Sequence, residues 1–319
     1  WGSIRAIVGE GAAWLSLLKH YYEIADGHAL YYGERWRSTL VTRSFLLLIS
    51  IVVLGLIGML NEDLGLVTIP LQVLIVGFIF VDRLRAVQGD WQRRWLEYRQ
   101  LAERLRCLRY LRLAGVADAE DALRLAASWP VWYATRLARM LGPCAAPAPS
   151  QARAVLDHLL QAEIGEQIDY HRGAIRRFTA IDARTRIMAR VMLGLTVAIG
   201  AAIFVLSINN LSLLSWSGVA SLGLSAAPAV VTGLNAFRAE FDLVRLTERS
   251  TRLARGLWRL ERAASERAEI EEAAEEGAAA ETMPALDRTV ARRAASLMLE
   301  EVSQWRFVLE ARTERLRRH

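Results

Sequence analysis

The chain has 319 residues, of which 53% are hydrophobic and 23% charged, and its mean hydropathy of +0.20 is high for a chain that carries so much charge. Its length suits two ordinary domains, and its apolar residues must be concentrated in segments. A net charge of +6 and a pI near 9.7 would fit a nucleic-acid binder. However, the arginines alternate with glutamates along helical stretches and no basic patch with interleaved aromatics occurs, so arginine flanking a membrane accounts better for the excess. Cys107 and Cys144 are too few for a disulfide framework and lack the companions of a zinc site.

The chain begins at Trp1 without an initiator methionine or a basic-then-apolar leader, and the expectation is a larger protein with a further N-terminal part. Residues 1–42 are expected to form a cytoplasmic or interfacial helix, leading into a transmembrane hairpin at 43–82. The apolar core of the first span runs from Ser44 to Leu60 and that of the second from Leu64 to Val81, joined by Asn61-Glu62-Asp63. Residues 83–186 form a cytoplasmic helical insert, 187–237 a second hairpin, and 238–319 a cytoplasmic helical tail. The third span covers about Ile187–Ile208 and the fourth about Leu211–Phe237. Each span approaches the ~20 residues that cross about 30 Å of hydrocarbon as helix.

No Lys or Arg lies between Arg43 and Arg83, or between Arg190 and Arg238. By the positive-inside rule the termini and the insert are then cytoplasmic, and both short loops face outward. Pro70 and Pro228 each sit in the second span of a hairpin and are candidate helix bends.

After the second span, Tyr98, Leu101, Leu105 and Leu108 share one helical face, and Gly115 is a natural stop. After the fourth span, Leu243, Leu246, Ser250, Leu253, Leu257 and Leu260 keep a heptad-like spacing that suits a bundle or coiled-coil stalk. Gly142–Ser150 and the acidic run Glu266–Pro284 read as linkers, the second extending a helix before fraying. In the last helix Met298, Val302, Trp305 and Leu309 form a core stripe. No stretch alternates as a strand, so the expected fold class is an all-α membrane protein with four transmembrane helices in two hairpins and helical cytoplasmic extensions.

Phosphate-binding, dinucleotide, zincin and nucleophile-elbow motifs are all missing from the sequence. His20, His28, His158, His171 and His319 do not pair at metal-ligand spacing. No catalytic residue, cofactor or metal is therefore expected. The span cores also lack ionisable side chains, which argues against a proton-coupled pump. Ser217, Ser221, Ser225 and Thr232 form one small polar face of the fourth span, and Thr68 and Gln72 add polar groups to the second. They are candidates for lining a narrow pore in an oligomer or for close helix packing.

Several strings together resemble a known group: ADGHALYYGERWRSTLV (Ala25–Val41), WLEYRQLAERLR (Trp95–Arg106), EQIDYHRGAIRRF (Glu166–Phe178) and LMLEEVSQWRFVLEARTE (Leu297–Glu314). The chain is similar to the SLATT group, bacterial membrane effector modules associated with SMODS nucleotidyltransferases and SLOG sensor domains. It departs from the minimal pattern in having two hairpins in place of one. The resemblance implies an antiphage effector of the bacterial inner membrane. Such an effector would be a homo-oligomer in the lipid bilayer that forms a pore or breaches the membrane when a fused or associated nucleotide-sensing domain is triggered. A constitutive ion channel or transporter, and a membrane anchor for a cytoplasmic domain, are the alternative readings.

Overall fold

The computed structural model of the chain describes residues 4, 7, 13–57, 62–116, 128–143, 148–208, 227–235, 237–238, 242–272 and 285–303. Among these residues there is no strand, so the fold is all-α. The helices are α1 (Ala13–Ile57), α2 (Glu62–Gln88), α3 (Trp91–Leu113), α4 (Trp129–Met140), α5 (Pro149–His158), α6 (Glu166–Ile208) and α7 (Leu243–Glu272). A π-helical segment, Leu159–Gly165, joins α5 to α6. Residues 227–235 are also helical, and 285–303 form α8.

The chain divides into two compact units. The first comprises Trp1–Gly33, Gln92–Ile175 and Glu248–His319, the second Glu34–Trp91 and Arg176–Thr247.

The first unit is built around α3. Leu101, Leu105 and Leu108 are buried as their spacing predicts, but the rest of the helix is buried as well: from Gln100 to Leu113 only Arg106 keeps partial exposure. A helix enclosed on all sides is normally apolar all round. This one instead carries Arg104, Arg109 and Arg112 inside, each below 10% exposed. α7 contributes Leu253, Leu257, Ala264 and Ala268 to the same core, and α8 contributes Val290, Ala294, Met298 and Leu299. Within this unit the heptad-like seam is buried at Ser250, Leu253 and Leu257 and partly buried at Leu260, and Leu297 of α8 packs beside Gly256 of α7. In the final stripe Met298 and Val302 are buried, while Trp305 and Leu309 lie outside the described residues. α1 meets this core through small residues one turn apart, Ala25 and Ala29. At Gly33 an added Cβ would come within 2.9 Å of the Trp95 ring.

α3 ends where the sequence places its stop. Gly115 adopts φ 67°, its N–H donates to the Arg112 carbonyl at 3.0 Å, and the Val116 N–H donates to Leu111 at 2.9 Å. This is a Schellman closure, with Val116 and Leu111 both buried as its hydrophobic contact. A Cβ at this left-handed position costs roughly 1–2 kcal/mol. Gly115→Ala is therefore expected to lower stability by about 1 kcal/mol in denaturant unfolding, and Gly115→Asn by less.

Gly89–Asp90 forms a turn between α2 and α3, with Asp90 at φ 46°, and Asp242 precedes α7 at φ 45°. Both positions use an aspartate, which tolerates the left-handed region better than most side chains.

In the second unit, α1 and α2 are antiparallel neighbours. Arg43 Nε pairs with Asp82 at 3.1 Å and its Nη2 donates to the Asp82 carbonyl at 3.2 Å. Seven residues further along α1, Ser50 meets Gln72, ten residues back along α2. Asp182 of α6 likewise pairs with Arg238 at 2.8 Å. Among the described residues one continuous helical run, Gln151–Leu206, is long and apolar enough to cross a membrane, and none of its apolar window is buried.

Candidate functional site

Most of the polar groups proposed to line a pore cannot be placed by the structure. Ser217, Ser221 and Ser225 lie outside the described residues, and Thr68 is on α2 but its side chain also lies outside them. Thr232 is exposed, and its hydroxyl donates to the Pro228 carbonyl one turn earlier at 3.0 Å. Pro70 is inside α2, and Pro228 belongs to the helical residues 227–235. Gln72 is the member of the set that engages a neighbouring helix. Its amide donates to the Ser50 hydroxyl of α1, while its carbonyl oxygen is buried without a hydrogen-bond partner. A polar pair of this kind serves close helix packing directly.

At the ends of the apolar stretches the structure adds ion pairs that sequence reasoning missed. Arg43–Asp82 ties α1 to α2 at one end of their apolar stretches, and Asp182–Arg238 ties α6 to the residue that follows the expected fourth span. The order of charges is reversed between the two. Asp182 also receives Arg186 one turn later and is only 6% exposed. The available signal was a lone acid beside each apolar stretch with a lone arginine at the far end of the hairpin.

The densest constellation of charge is in the first unit, on α3. Glu103 forms ion pairs with Arg99 at 2.5 Å and with Arg106 at 2.9 Å. Arg109 pairs with Glu163 of the π segment, and His158 Nε2 lies 3.7 Å from the same carboxylate. Burial alone would raise Glu103, but the guanidiniums of Arg106 and Arg99 outweigh it and hold the carboxyl below its ordinary range. Glu163 is likewise held low against burial by the His158 hydrogen bond and by Arg109. His171, on α6, is pushed down to about 4 by burial, with Arg106 and Arg99 acting in the same direction and Glu103 opposing. Its imidazole is neutral at physiological pH.

Further polar ties lock the neighbouring helices to α3. Arg112 donates to the carbonyls of Gly142 at 2.8 Å and Leu141 at 3.1 Å, capping the end of α4, and its guanidinium lies 5.3 Å from the Trp14 ring centroid. Tyr110 donates to the Cys107 sulfur at 3.1 Å, and Met298 of α8 lies 3.4 Å from Arg106. Burial pushes the Cys107 thiol up to about 12, so it is not a reactive thiolate. The π segment buries Leu159, Leu160, Glu163 and Ile164 together. Its wider turn carries Glu163 to the arginines of α3.

Sequence reasoning identified the Tyr98, Leu101, Leu105 and Leu108 face of this helix and assigned no place to the arginines that interleave with the leucines of LAERLRCLRYLRL. The spacing that could have revealed the network is Arg99-x3-Glu103-x2-Arg106, one carboxylate with a cation a turn away on each side.

The network therefore has the chemistry of a structural clamp: its carboxylates are neutralised, its imidazole is uncharged and its thiol is protonated. Among the described residues, no group of three or more His, Cys, Asp or Glu side chains could hold a metal ion. No family model, no curated protein and no solved structure matches this chain.

Proposed function

We propose that the chain is a four-span protein of the bacterial inner membrane, with hairpins at 43–82 and 187–237 in the bilayer and both termini in the cytosol. It acts as an oligomeric effector that opens a pore or breaches the membrane when a cytosolic sensor domain is triggered. The observation that carries the membrane assignment is the exposure of large apolar side chains along α2 and α6. Val73, Leu74, Phe80, Val197 and Phe204 are each more than 60% exposed, on segments with no Lys or Arg between Arg43 and Arg83 or between Arg190 and Arg238. A water-soluble monomer rarely exposes an apolar patch beyond a few hundred Å², whereas lipid requires one. The ion pairs at the hairpin bases fit the same reading, since they bring charge to the edge of the hydrocarbon in neutral pairs.

The effector role draws on the resemblance to the SLATT group. The absence of ionisable groups from the span cores also supports it, because it disfavours a coupled pump. A trigger would act by binding one state better than the other and shifting the population.

Two measurements test this reading. A cysteine introduced at Asn209 should be labelled by a membrane-impermeant reagent from outside intact cells, and one at Ala285 only after permeabilisation; labelling of both from one side would refute the topology. The triggered protein should release dye from liposomes, with Ser221→Phe or Ser225→Phe lowering the rate several-fold. Unchanged rates across a Ser217, Ser221 and Ser225 series would remove the pore-lining role.

A further inference from the structure

We propose that the second unit carries an arginine collar that selects anionic phospholipid headgroups. The inference rests on the membrane reading above and deepens it by naming the lipid partner. Arg37, Arg83, Arg85, Arg177, Arg184 and Arg190 all belong to this unit and are all exposed. None of the six pairs with a carboxylate among the described residues, and two acids beside them are already taken: Asp82 by Arg43, and Asp182 by Arg238 and Arg186.

In each hairpin the collar lies within a few turns of the basal ion pair. Arg83 and Arg85 follow Asp82 on α2, and Arg37 precedes Arg43 on α1 by six residues. Arg177, Arg184 and Arg190 flank Asp182 on α6, all within eight residues of it. At a helical rise of about 1.5 Å per residue, eight residues span about 12 Å, comparable to the headgroup layer and its adjoining water. Exposed apolar side chains run on into the spans from Phe45 on α1, Val81 on α2 and Val191 on α6, while Leu84, Val87 and Ile187 stand exposed among the arginines themselves. A surface on which guanidiniums interleave with apolar side chains and then give way to apolar side chains alone complements the interface between phosphodiester and acyl chain.

All six cations are arginines, as are all of the chain's basic residues except Lys19. The planar guanidinium fork binds phosphate oxygens in pairs, which an ammonium cannot do. Zwitterionic lipids offer the same phosphate together with a repelling cation. Anionic lipids offer it without one, and a basic side chain near such a surface gains roughly five-fold in affinity.

The test uses the full chain reconstituted in bilayers that contain spin-labelled phosphatidylglycerol or spin-labelled phosphatidylcholine, with the motionally restricted fraction of each label measured. The expected result is several-fold selection of phosphatidylglycerol at low salt, falling towards parity at 0.5 M NaCl, where the Debye length shrinks to about 4 Å. Arg83→Gln/Arg85→Gln/Arg184→Gln/Arg190→Gln should abolish the selection while leaving the restricted fraction of phosphatidylcholine unchanged. Equal restriction of both labels by the unaltered chain would overturn the collar and leave the membrane reading standing. Restriction of neither label would overturn both. The salt series on the unaltered chain decides the matter even if the fourfold variant does not fold.

Discussion

Replacing Glu163 with alanine is expected to destabilise the first unit by about 3–5 kcal/mol, the usual cost of removing one partner of a buried ion pair. The substitution leaves Arg109 buried beside a cavity, with His158 deprived of the same carboxylate. Both side chains of the Arg109–Glu163 pair are at most 10% exposed, so solvent does little to screen the orphaned charge. Glu163→Gln keeps the shape and removes only the charge, and should cost less. The double change Arg109→Met/Glu163→Leu should recover most of the loss, because two desolvated charges then disappear together. Hydrogen exchange of the α3 amides in the full chain reads the effect as lost protection, since these amides report opening of the core. A loss below about 1 kcal/mol in Glu163→Ala would show that the pair does not hold the unit together.

Acid should weaken the same unit well before its carboxylates titrate. His171 is held at about 4 in the folded chain, against an ordinary value near 6.5. The folded state therefore takes up this proton only at lower pH than the unfolded state does. The resulting stabilisation is complete above about pH 6.5 and declines as pH falls. It is gone below about pH 4, a total of about 3 kcal/mol at 1.36 kcal/mol per unit. The cause is burial, reinforced by Arg106 and Arg99, and the protonated ring would add a further cation to that cluster. Glu103 contributes in a separate and lower window. Its folded value is depressed, so its share is present above the ordinary carboxylate range and is lost only as pH drops through the depressed value. His171→Gln should flatten stability between pH 6.5 and 4 while leaving the lower limb in place. A variant as steep as the unaltered chain would assign the acid transition to another group.

The two constellations that the structure reveals were legible to different degrees. Arg43 was visible as a charge at the edge of an apolar stretch, but its partner was not predictable. Arg43 pairs across a hairpin with Asp82, whereas α6 uses Asp182 to reach Arg238. A pairing between residues about forty or fifty-six positions apart depends on helix register, which single-residue patterning does not encode. The burial of the α3 arginines was not legible for a related reason. A Leu/Arg alternation with no polar face fits an exposed stalk as well as an enclosed helix. The deciding factor is the set of neighbours that supply Glu163, Met298 and the carbonyls of Leu141 and Gly142.

What the sequence determined by itself is everything that depends on local periodicity and composition. The helical class, the stop at Gly115, the buried seam of α7 and the Met298–Val302 stripe all follow from apolar spacing and from glycine's access to positive φ. Only the tertiary structure decided which charges are desolvated and what neutralises them. Burial of an arginine is a property of the helices around it, and the energy of a charge depends on the medium and partners it meets more than on its own helix. The hairpins' apolar composition was evident from the chain, but the antiparallel register of α1 and α2 required coordinates. So did the finding that, among the described residues, no carboxylate pairs with the arginines beside Asp82 and Asp182, because both are relations between residues far apart in sequence.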